Sequence, residues 1–436
     1  MQRRDFLKIS AAGVAAAAVP ATLMASPAPA TNKKSSNGKI NLGFIGLGCQ
    51  CAWALLPSFI EKERVRVVAG ADVYDIKRER FVRKVTEYYK EKGEKKVKVD
   101  VYEDYKELLA RPDIDAVVIA TPDHWHALTV IDAIKAGKDV YLEKPMTLTI
   151  YEGQMLCKAV RKYGRILQVG SMQRSWDEFL HATSLVREGA LGKVHRIKAY
   201  VGRSEYNSEN ASNVAMCLPK EEIPAGLNWD KWLGPLPADV YYSEGLDPRI
   251  TPDKDERCYG EWRWFKGMGG GMMTDWGAHM FDIAQWAIGK DYNGPVEVIP
   301  PCCSYDDRLT FKYDNGIEMT EEHLDFGNGV KIYGDEGWIE VGRGYFKASH
   351  PKFDQKPVAE HPDHYDAFLN AIETRIDPNC PVEIGHSSCT VCNIGNIAIE
   401  LGRPVKWNPI VQKFMNDPEA TKMMHYDYRE GYKLEI

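Results

Sequence analysis

Short apolar segments alternate with longer segments of helical periodicity through residues 39–170. The apolar segments are typical of buried β-strands, and the segments between them are long enough to form helices. The predicted strands are KINLGFIG, VRVVAGADV, VDVYED, IDAVVIATP, DVYLEKP and RILQVG. The predicted helices cover residues 51–62, 76–93, 105–110, 124–136 and 151–163. This alternation predicts βαβ units and a parallel sheet.

The pattern changes after Gly170. Alternating apolar and polar positions then dominate and predict mainly antiparallel strands. The strand-like stretches are VHRIKAYVG, VEVIPPC, RLTFKYDN, GIEMTEEH and VKIYGDEGWIEVGR, and the segments with helical spacing are 271–289, 363–374 and 386–401. We therefore predict two α/β domains, one with a parallel sheet over residues 39–170 and one over residues 171–436.

Residues 1–30 are typical of a targeting segment rather than of a folded domain. The basic head MQRRDFLKIS precedes an alanine-rich run and small residues, and RRDFL at positions 3–7 resembles the twin-arginine signal. The run 11–25 is shorter and less apolar than the ~20 residues that a membrane-spanning helix needs. We expect cleavage after Ala25 or Ala30, a polar linker over 31–38, and export to the periplasm or beyond by the twin-arginine machinery.

Composition and charge narrow the possible partners. The chain of 436 residues is 44% hydrophobic and 27% charged, which are values of an ordinary globular protein. Its net charge is -6 with no long basic run, so we expect no nucleic-acid partner. Ten cysteines would suggest disulfides in an exported protein, but the twin-arginine pathway carries folded proteins. Cys389 and Cys392 form a CxxC within helical apolar spacing, so we interpret them as core residues.

A glycine-rich turn, GLGCQC, follows the first predicted strand and precedes the first helix. Gly46 permits the tight turn, and Gly48 lets the backbone approach a pyrophosphate at the helix N-terminus. Cys51 is small enough to take the third position of the GxGxxG/A pattern. The turn predicts a dinucleotide-binding Rossmann domain. Its predicted cofactor contacts are Gly46, Leu47, Gly48, Cys49 and Gln50.

Asp72 ends the second predicted strand, 24 residues after Gly48. A carboxylate at this position accepts hydrogen bonds from the ribose hydroxyls and repels a 2'-phosphate. Lys77 and Arg78 follow closely, and either could bind such a phosphate. On balance Asp72 favours NAD over NADP.

Two further motifs follow the fourth and fifth strands. These are TPDHWH at 121–126 and EKP at 143–145, and they are expected to converge where the reactive ring of a cofactor lies. A metal pair at His124 and His126 is disfavoured, because positions i and i+2 diverge on a helix and no third ligand is apparent. We expect no metal. The predicted cofactor residues here are Thr121, Pro122, His126, Glu143 and Lys144.

Asp275 and His279 lie in GGGMMTDWGAHMFD, within the helical segment predicted over 271–289. Positions i and i+4 share a face of a helix. His279 could pass a proton at neutral pH while Asp275 tunes its orientation and charge. A structural hydrogen bond between them is the competing interpretation.

The chain resembles the Gfo/Idh/MocA oxidoreductase family, because the strand pattern, TPxxxH, EKP and a later DxxxH occur in that family's order over about residues 39–410. The resemblance implies an N-terminal Rossmann domain and a C-terminal α/β domain with a large open, mainly antiparallel sheet that often mediates homo-oligomers. It also implies that Lys144 orients and polarises a substrate hydroxyl, and that His279, beside Asp275, takes the proton. Arg174 is expected to touch substrate. Trp262 either stacks on a sugar or packs in the core.

These residues predict reversible oxidation of a secondary hydroxyl in a sugar, glycoside or polyol, with a nicotinamide as cofactor. Free NAD is scarce outside the cytoplasm, so an exported enzyme is expected to hold its cofactor tightly. The resemblance allows an alternative, an NAD-dependent glycosidase that oxidises its substrate transiently with no net redox change. That group is expected to lack the lysine of EKP, whereas Lys144 is present. A non-catalytic sugar sensor is disfavoured by the intact catalytic positions.

Overall fold

The structure is a computed structural model that describes residues 38–203, 217–251, 259–354 and 358–436. The predicted signal segment, its cleavage positions Ala25 and Ala30, and nearly all of the predicted linker lie outside the described residues. Within the described ranges, no helix is long and apolar enough to cross a membrane.

Six parallel strands form the first sheet, in the order β3-β2-β1-β4-β5-β6. The strands are β1 (Ile40–Ile45), β2 (Val65–Ala71), β3 (Asp100–Tyr102), β4 (Ala116–Ile119), β5 (Asp139–Leu142) and β6 (Leu167–Val169). All six strands that the apolar pattern predicts are present, and their order is that of a Rossmann fold. The order reverses between β1 and β4, so a ligand site is expected at the carboxyl ends of these two strands.

The five predicted connecting helices are also present. They are α1 (Leu56–Ile60), α2 (Asp75–Glu91), α3 (Tyr105–Leu109), α4 (Asp123–Lys135) and α5 (Ile150–Tyr163). α5 begins with a capping box in which Thr149 and Glu152 bond each other's backbone amides, and it ends at Gly164 in a left-handed conformation. The predicted helix over 51–62 differs in detail, because Cys51–Leu55 forms a wide π-helical turn before α1.

The second sheet has nine strands in the order β13-β12-β11-β7-β10-β9-β8-β14-β15. The strands are β7 (Val194–Tyr200), β8 (Glu297–Ile299), β9 (Leu309–Lys312), β10 (Glu318–Glu321), β11 (Gly329–Gly334), β12 (Gly337–Gly342), β13 (Tyr345–Ala348), β14 (Val405–Asn408) and β15 (Lys413–Phe414). Only the β7–β10 pair is parallel among the described strands of this sheet. The predicted fold class, a parallel sheet followed by a mainly antiparallel one, is therefore confirmed.

The helices of the second half are α6 (Asp177–Arg187), α7 (Trp229–Leu233), α8 (Gly271–Asp275), α9 (Gly277–Ala287), α10 (His364–Thr374), α11 (Val382–Leu401) and α12 (Pro418–Lys422). α9 packs against both α6 and α11, and all three helices pack against the nine-stranded sheet. Their apolar side chains, such as Phe281 and Val391, share one buried cluster with Phe311 and Ile332 of the strands. Cys389 and Cys392 are buried free thiols on α11.

The C-terminal half also completes the core of the Rossmann domain. Phe368, Leu369 and Ile372 of α10 are buried in the same cluster as Phe44 of β1 and Phe59 of α1. The ring centroids of Phe59 and Phe368 lie 6.2 Å apart. The two halves of the chain are thus joined by a continuous apolar core and not merely by a linker.

Candidate active site

A cleft of about 940 Å³ lies between the two halves of the molecule. One wall is formed by the carboxyl ends of the parallel strands, including Gly46, Asp72 and Lys144. The other wall comes from the second half and includes Trp262, Asp275 and His279. The cleft is therefore at the switch point that the strand order predicts.

The glycine turn has the geometry of a phosphate-binding loop. Gly46 has φ +82°, and a Cβ there would lie 2.6 Å from the Ala120 carbonyl carbon, so only glycine fits. Gly48 lines the cleft, and a Cβ there would meet no atom within 4 Å. Cys49 and Gln50 line the same part of the cleft. An open space in front of a glycine backbone is what a pyrophosphate requires, so the turn fits a dinucleotide.

Asp72 holds the glycine turn in place. Its Oδ2 accepts a hydrogen bond from the Leu47 amide at 2.7 Å, and its Oδ1 accepts one from the Tyr74 amide at 2.9 Å. The carboxylate lines the cleft, and these two hydrogen bonds leave it lone pairs that can accept from a ribose. Leu47 is buried and does not line the cleft, and its amide and carbonyl bond Asp72 and Arg80, which corrects the prediction that it contacts the cofactor.

The basic residues near Asp72 are already engaged. Lys77 forms a buried ion pair with Asp247 of the second half, and Arg78 donates to the backbone carbonyl of Asp72. Arg80 donates to the Leu47 carbonyl at 2.8 Å. Lys77 and Arg78, the two residues that could bind a 2'-phosphate according to the sequence, therefore have other partners in the fold.

Thr121, Pro122 and Glu143 also line the cleft. The Thr121 hydroxyl is buried and has no hydrogen-bond partner among the described residues. Glu143 accepts hydrogen bonds from the Gln50 side-chain amide and from the Lys144 backbone, both at 3.1 Å. Burial raises the pKa of Glu143, although the charge of Lys144 works against this. An unpartnered buried hydroxyl beside the glycine turn is a ready contact for a bound nucleotide.

His126 does not reach the cleft, which corrects the prediction that it lines the cofactor site. Its Nδ1 lies 2.8 Å from the Pro145 carbonyl, and its Nε2 lies 3.0 Å from the Thr121 carbonyl. The ring is 1% exposed, and burial lowers its pKa to about 4. Because it joins the loop after β4 to the loop after β5, His126 positions the two motifs instead of touching a ligand.

Lys144 and Asp275 form an ion pair across the cleft. Lys144 Nζ donates to Asp275 Oδ1 at 2.7 Å and to the Asp275 backbone carbonyl at 3.1 Å. Arg263 Nε lies 3.7 Å from the same Oδ1. Burial alone would raise the pKa of Asp275, but the charges of Lys144 and Arg263 outweigh it and lower the pKa to about 2. The carboxylate is therefore ionised and fixes the ammonium group within the cleft.

Asp275 and His279 do not share one helix, contrary to the prediction of a continuous helix over 271–289. α8 ends at Asp275 and α9 begins at Gly277. A continuous helix would pair the Asp275 carbonyl with the His279 amide. Instead the Asp275 carbonyl accepts a hydrogen bond from Lys144, and the His279 amide donates to the Trp276 carbonyl at 2.9 Å. The helix breaks where the lysine takes its carbonyl, and both side chains still line the cleft.

His279 is a buried, neutral imidazole. It is 3% exposed, and its Nδ1 has no hydrogen-bond partner within the described ranges. Burial, together with the charges of Lys144 and Arg343, lowers its pKa well below the ordinary value. Arg343 itself lies over the Trp276 ring at 4.5 Å. A neutral imidazole beside an ammonium group is able to accept a proton from a substrate hydroxyl.

Arg174 does not reach the cleft, so its prediction as a substrate contact is not supported. Its side chain is 3% exposed and forms ion pairs with Asp282 at 2.7 Å and Asp291 at 2.7 Å. The guanidinium also lies 5.0 Å from the Trp286 ring centroid. It ties the segment after β6 to α9. Met172, two residues earlier, lines the cleft in its place.

Aromatic and basic residues surround the far wall of the cleft. Trp262 lines it, as the sugar-stacking interpretation requires, and so do Trp264 and Trp276. Arg263 lies over the Trp262 ring at 4.6 Å. The sequence prediction named only Trp262 in this segment and missed Arg263, although its place between two tryptophans was a usable signal. Planar rings and guanidinium groups suit a hydroxyl-rich ligand with apolar faces.

Asp123 is a further cleft residue that the sequence prediction missed. It is 4% exposed at the start of α4, and burial raises the pKa of its carboxyl to about 8. Nearby Arg263 works against this rise, and Asp275 adds to it. Its position within the TPDHWH motif could have identified it as a cleft residue from the sequence. Across the described part of the chain, no group of three or more His, Cys, Asp or Glu side chains could hold a metal ion.

The fold and the cleft define a class of oxidoreductase that binds a nicotinamide cofactor. Residues 40–171 match the family model described as oxidoreductase family, NAD-binding Rossmann fold, and residues 180–434 match its C-terminal alpha/beta domain. The chain belongs to the Gfo/Idh/MocA oxidoreductase family. Residues 1–20 match the twin-arginine translocation signal, which directs the protein to export.

Several known proteins are similar to this chain. An alpha-N-acetylgalactosaminidase of Shewanella oneidensis is 29% identical over 219 residues, 46% of each protein, so the chain spans about half the length of the curated relatives it matches. The aldose-aldose oxidoreductase of Caulobacter crescentus, solved with glycerol, is 21% identical, with a TM-score of 0.57 over 84% of this chain and 99% of that one. The WlbA dehydrogenase of Chromobacterium violaceum, solved with NADH and UDP-GlcNAcA, is 18% identical, with a TM-score of 0.57 over 86% and 97%. These two solved structures share the fold.

Proposed function

We propose that this protein is an exported, NAD-dependent oxidoreductase that acts on a secondary hydroxyl of a sugar, glycoside or polyol. The observation that carries the proposal is the Lys144–Asp275 ion pair beside the neutral His279 in a cleft with a dinucleotide-binding turn. A nicotinamide bound there would accept or return the hydrogen and electron pair of a C–H bond.

The three side chains have distinct roles in this proposal. Asp275 is ionised and holds the Lys144 ammonium at 2.7 Å, so the lysine can orient a substrate hydroxyl and stabilise negative charge that develops on its oxygen. His279 is neutral and takes the hydroxyl proton as the C–H bond breaks. In the reverse direction the same imidazolium returns the proton to the new alcohol.

The surroundings of Asp72 support NAD rather than NADP. The Asp72 carboxylate is held toward the cleft by two backbone amides. Asp247, whose Oδ2 has no partner among the described residues, adds a second carboxylate nearby and engages Lys77. A 2'-phosphate would face two carboxylates with its candidate lysine already paired, which disfavours NADP.

The export signal bears on how the cofactor is used. Because the twin-arginine pathway carries folded proteins, the cofactor can be loaded before export. We propose that it then stays bound and is regenerated in place by a second substrate. Denaturing the purified protein and assaying the supernatant for nicotinamide nucleotide tests this, and a stoichiometry near one per chain is expected. Protein that is fully folded yet yields no nucleotide, even after incubation with NAD, would contradict it.

A second candidate is an NAD-dependent glycoside hydrolase with no net redox change. Its support is that curated relatives at 27–29% identity carry the names alpha-N-acetylgalactosaminidase and glycosyl hydrolase family 109 protein. Asp123, whose carboxyl is protonated at neutral pH, would be available to protonate a leaving glycosidic oxygen. Release of nitrophenol from nitrophenyl N-acetyl-α-galactosaminide, without accumulation of reduced nicotinamide, would favour this candidate over the first.

The Lys144→Met variant tests the proposed chemistry. It removes the ammonium but keeps a side chain of similar length, and Lys98→Met, at a position 86% exposed, is the matched control. We expect cofactor reduction by the best sugar of a panel to fall on the order of a thousandfold in Lys144→Met, with NAD binding largely intact. Unchanged turnover would refute the role of Lys144.

A further inference from the structure

After α12 a segment that we call the C-terminal tail, residues 425–436, runs back across the Rossmann domain. Its first residues lie against the start of α5, where the His425 and Tyr151 ring centroids are 4.8 Å apart. His425 Nδ1 lies 3.3 Å from the Thr149 hydroxyl, and the Tyr428 hydroxyl donates to the buried Glu152 carboxylate.

The middle of the tail is attached near α7. The Arg429 amide donates to the Pro235 carbonyl at 2.9 Å, and the Arg429 guanidinium pairs with Asp230 at 2.6 Å. At the far end, Leu434 and Ile436 pack against the apolar core of the Rossmann domain. The tail is thus attached on both sides of a short stretch, residues 431–433.

That short stretch lines the active-site cleft together with the glycine turn and Lys144. The Tyr432 ring is half-buried and meets the Trp125 ring edge-on, with centroids 5.6 Å apart. Trp125 is fixed in turn, because its indole donates to the Trp232 carbonyl at 2.9 Å. Three segments that are far apart in the chain therefore form one aromatic edge of the cleft.

This edge belongs to the adenosine end of the site. The reacting groups Lys144 and His279 mark one end, and Asp72 marks the ribose that carries the adenine. The Asp72 amide bonds the Tyr102 carbonyl at 3.1 Å, so residues 103–106 line the cleft next to Asp72. The Tyr105 ring contacts the Trp125 ring with centroids 5.8 Å apart, and residues 431–433 line the cleft beside Trp125. Aromatic side chains are suited to stack on a purine, since its faces are apolar and polarisable.

We infer that the C-terminal tail is part of the cofactor site and closes it over the adenosine, with Tyr432 as the contacting residue. The inference rests on the proposed function in that it requires a bound dinucleotide. Release of the nucleotide then requires the tail to detach, and detachment breaks the Arg429–Asp230 pair and the contacts at both ends. The C-terminal tail explains how the protein retains its cofactor, because dissociation of the nucleotide is then limited by the rate at which the tail opens.

The test measures release of a nucleotide, not turnover. The full-length folded protein is loaded with 1,N6-etheno-NAD, whose fluorescence reports binding, and is then mixed with excess unlabelled NAD. We expect Tyr432→Ala to release the analogue at least tenfold faster than the unaltered protein. Tyr305→Ala, at a fully exposed tyrosine, is the matched control and is expected to leave the rate unchanged.

Arg429→Gln is a second variant, because Arg429 does not line the cleft and can act only through the tail. It is also expected to speed release. Hydrogen exchange of residues 425–436 in the unaltered protein is expected to slow when NAD is bound, which keeps the test decisive if a variant fails to fold.

The outcomes separate this inference from the proposed function. Release rates that stay within twofold of the unaltered protein in both variants, or tail exchange that NAD does not change, would overturn the role of the tail while leaving NAD binding in place. Failure of the unaltered protein to bind either NAD or its etheno analogue would overturn the proposed function itself.

Discussion

Replacement of Arg174 by methionine is expected to destabilise the protein strongly without weakening substrate binding. The substitution keeps an unbranched side chain of similar reach but removes three charged hydrogen bonds, two to Asp282 and one to Asp291. Asp282 is 1% exposed and keeps only the Ser388 hydroxyl among its described partners. An uncompensated carboxylate then remains in the core.

The magnitude follows from that burial. Removing one partner of a buried ion pair costs about 3–5 kcal/mol, because the remaining charge stays desolvated. For domains of this size such a loss lowers Tm on the order of 10 °C. Adding Asp282→Asn to Arg174→Met removes the stranded charge, so the double variant is expected to recover part of the loss. Lys352→Met, at a surface pair with Glu336 in which both side chains are more than half exposed, is the control and is expected to change Tm little.

The assay is thermal unfolding followed by circular dichroism at one protein concentration and one NAD concentration, since both shift Tm. KM for the best substrate is measured on the same preparations. A fall in Tm with unchanged KM supports the structural role of Arg174. A raised KM with unchanged Tm would refute it and restore the interpretation of Arg174 as a substrate contact.

Three further substitutions have defined expected results. Asp247→Ser frees Lys77 to bind a 2'-phosphate, so the preference for NAD over NADP in equilibrium binding is expected to fall by about tenfold. Arg343→Gln removes a cation that disfavours the imidazolium of His279, so the pKa of His279 rises and the acid limb of the kcat/KM profile moves to higher pH. Asp123→Asn is expected to abolish any glycoside hydrolysis while cofactor reduction persists, and in the unaltered protein hydrolysis is expected to decline above about pH 8, where the carboxyl ionises.

Each of these expectations has a contrary result. Unchanged selectivity in Asp247→Ser would mean that Asp72 alone excludes the phosphate. An acid limb that stays in place or moves down would show that His279 is not the titrating base. If Asp123→Asn loses hydrolysis and cofactor reduction equally, Asp123 has a structural role and does not transfer a proton to the leaving group.

Most of the Rossmann domain could be predicted from sequence because its signals are local. Buried parallel strands produce uniform apolar runs, and the turn at Gly46 needs glycine for a reason that a single position reveals. Asp72 and Lys144 follow strand ends, so topology alone brings them to the cleft. Alternation likewise predicted β7 to β12 of the second sheet, but it missed the short strands β13, β14 and β15.

The features that could not be predicted depend on long-range contacts. Arg174 follows a strand end too, but Asp282, 108 residues later, draws its side chain into the core. The helix break beside Asp275 arises because Lys144, 131 residues earlier, takes a backbone carbonyl. The C-terminal tail carries no periodic pattern, so only the fold reveals that Tyr432 returns to Trp125. Local sequence patterns predict the secondary-structure element, whereas the orientation of a side chain depends on partners that are distant in the chain.

The most direct test of the central claim follows the absorbance of reduced nicotinamide in the purified, cofactor-loaded protein as single sugars, glycosides and polyols are added. The protein is expected to reduce its bound cofactor with at least one of these substrates in one turnover per chain. Lys144→Met, equally loaded with NAD, is expected to do so on the order of a thousandfold more slowly. Cofactor reduction at the same rate in both proteins, or none with any substrate in the fully loaded protein, would contradict the claim.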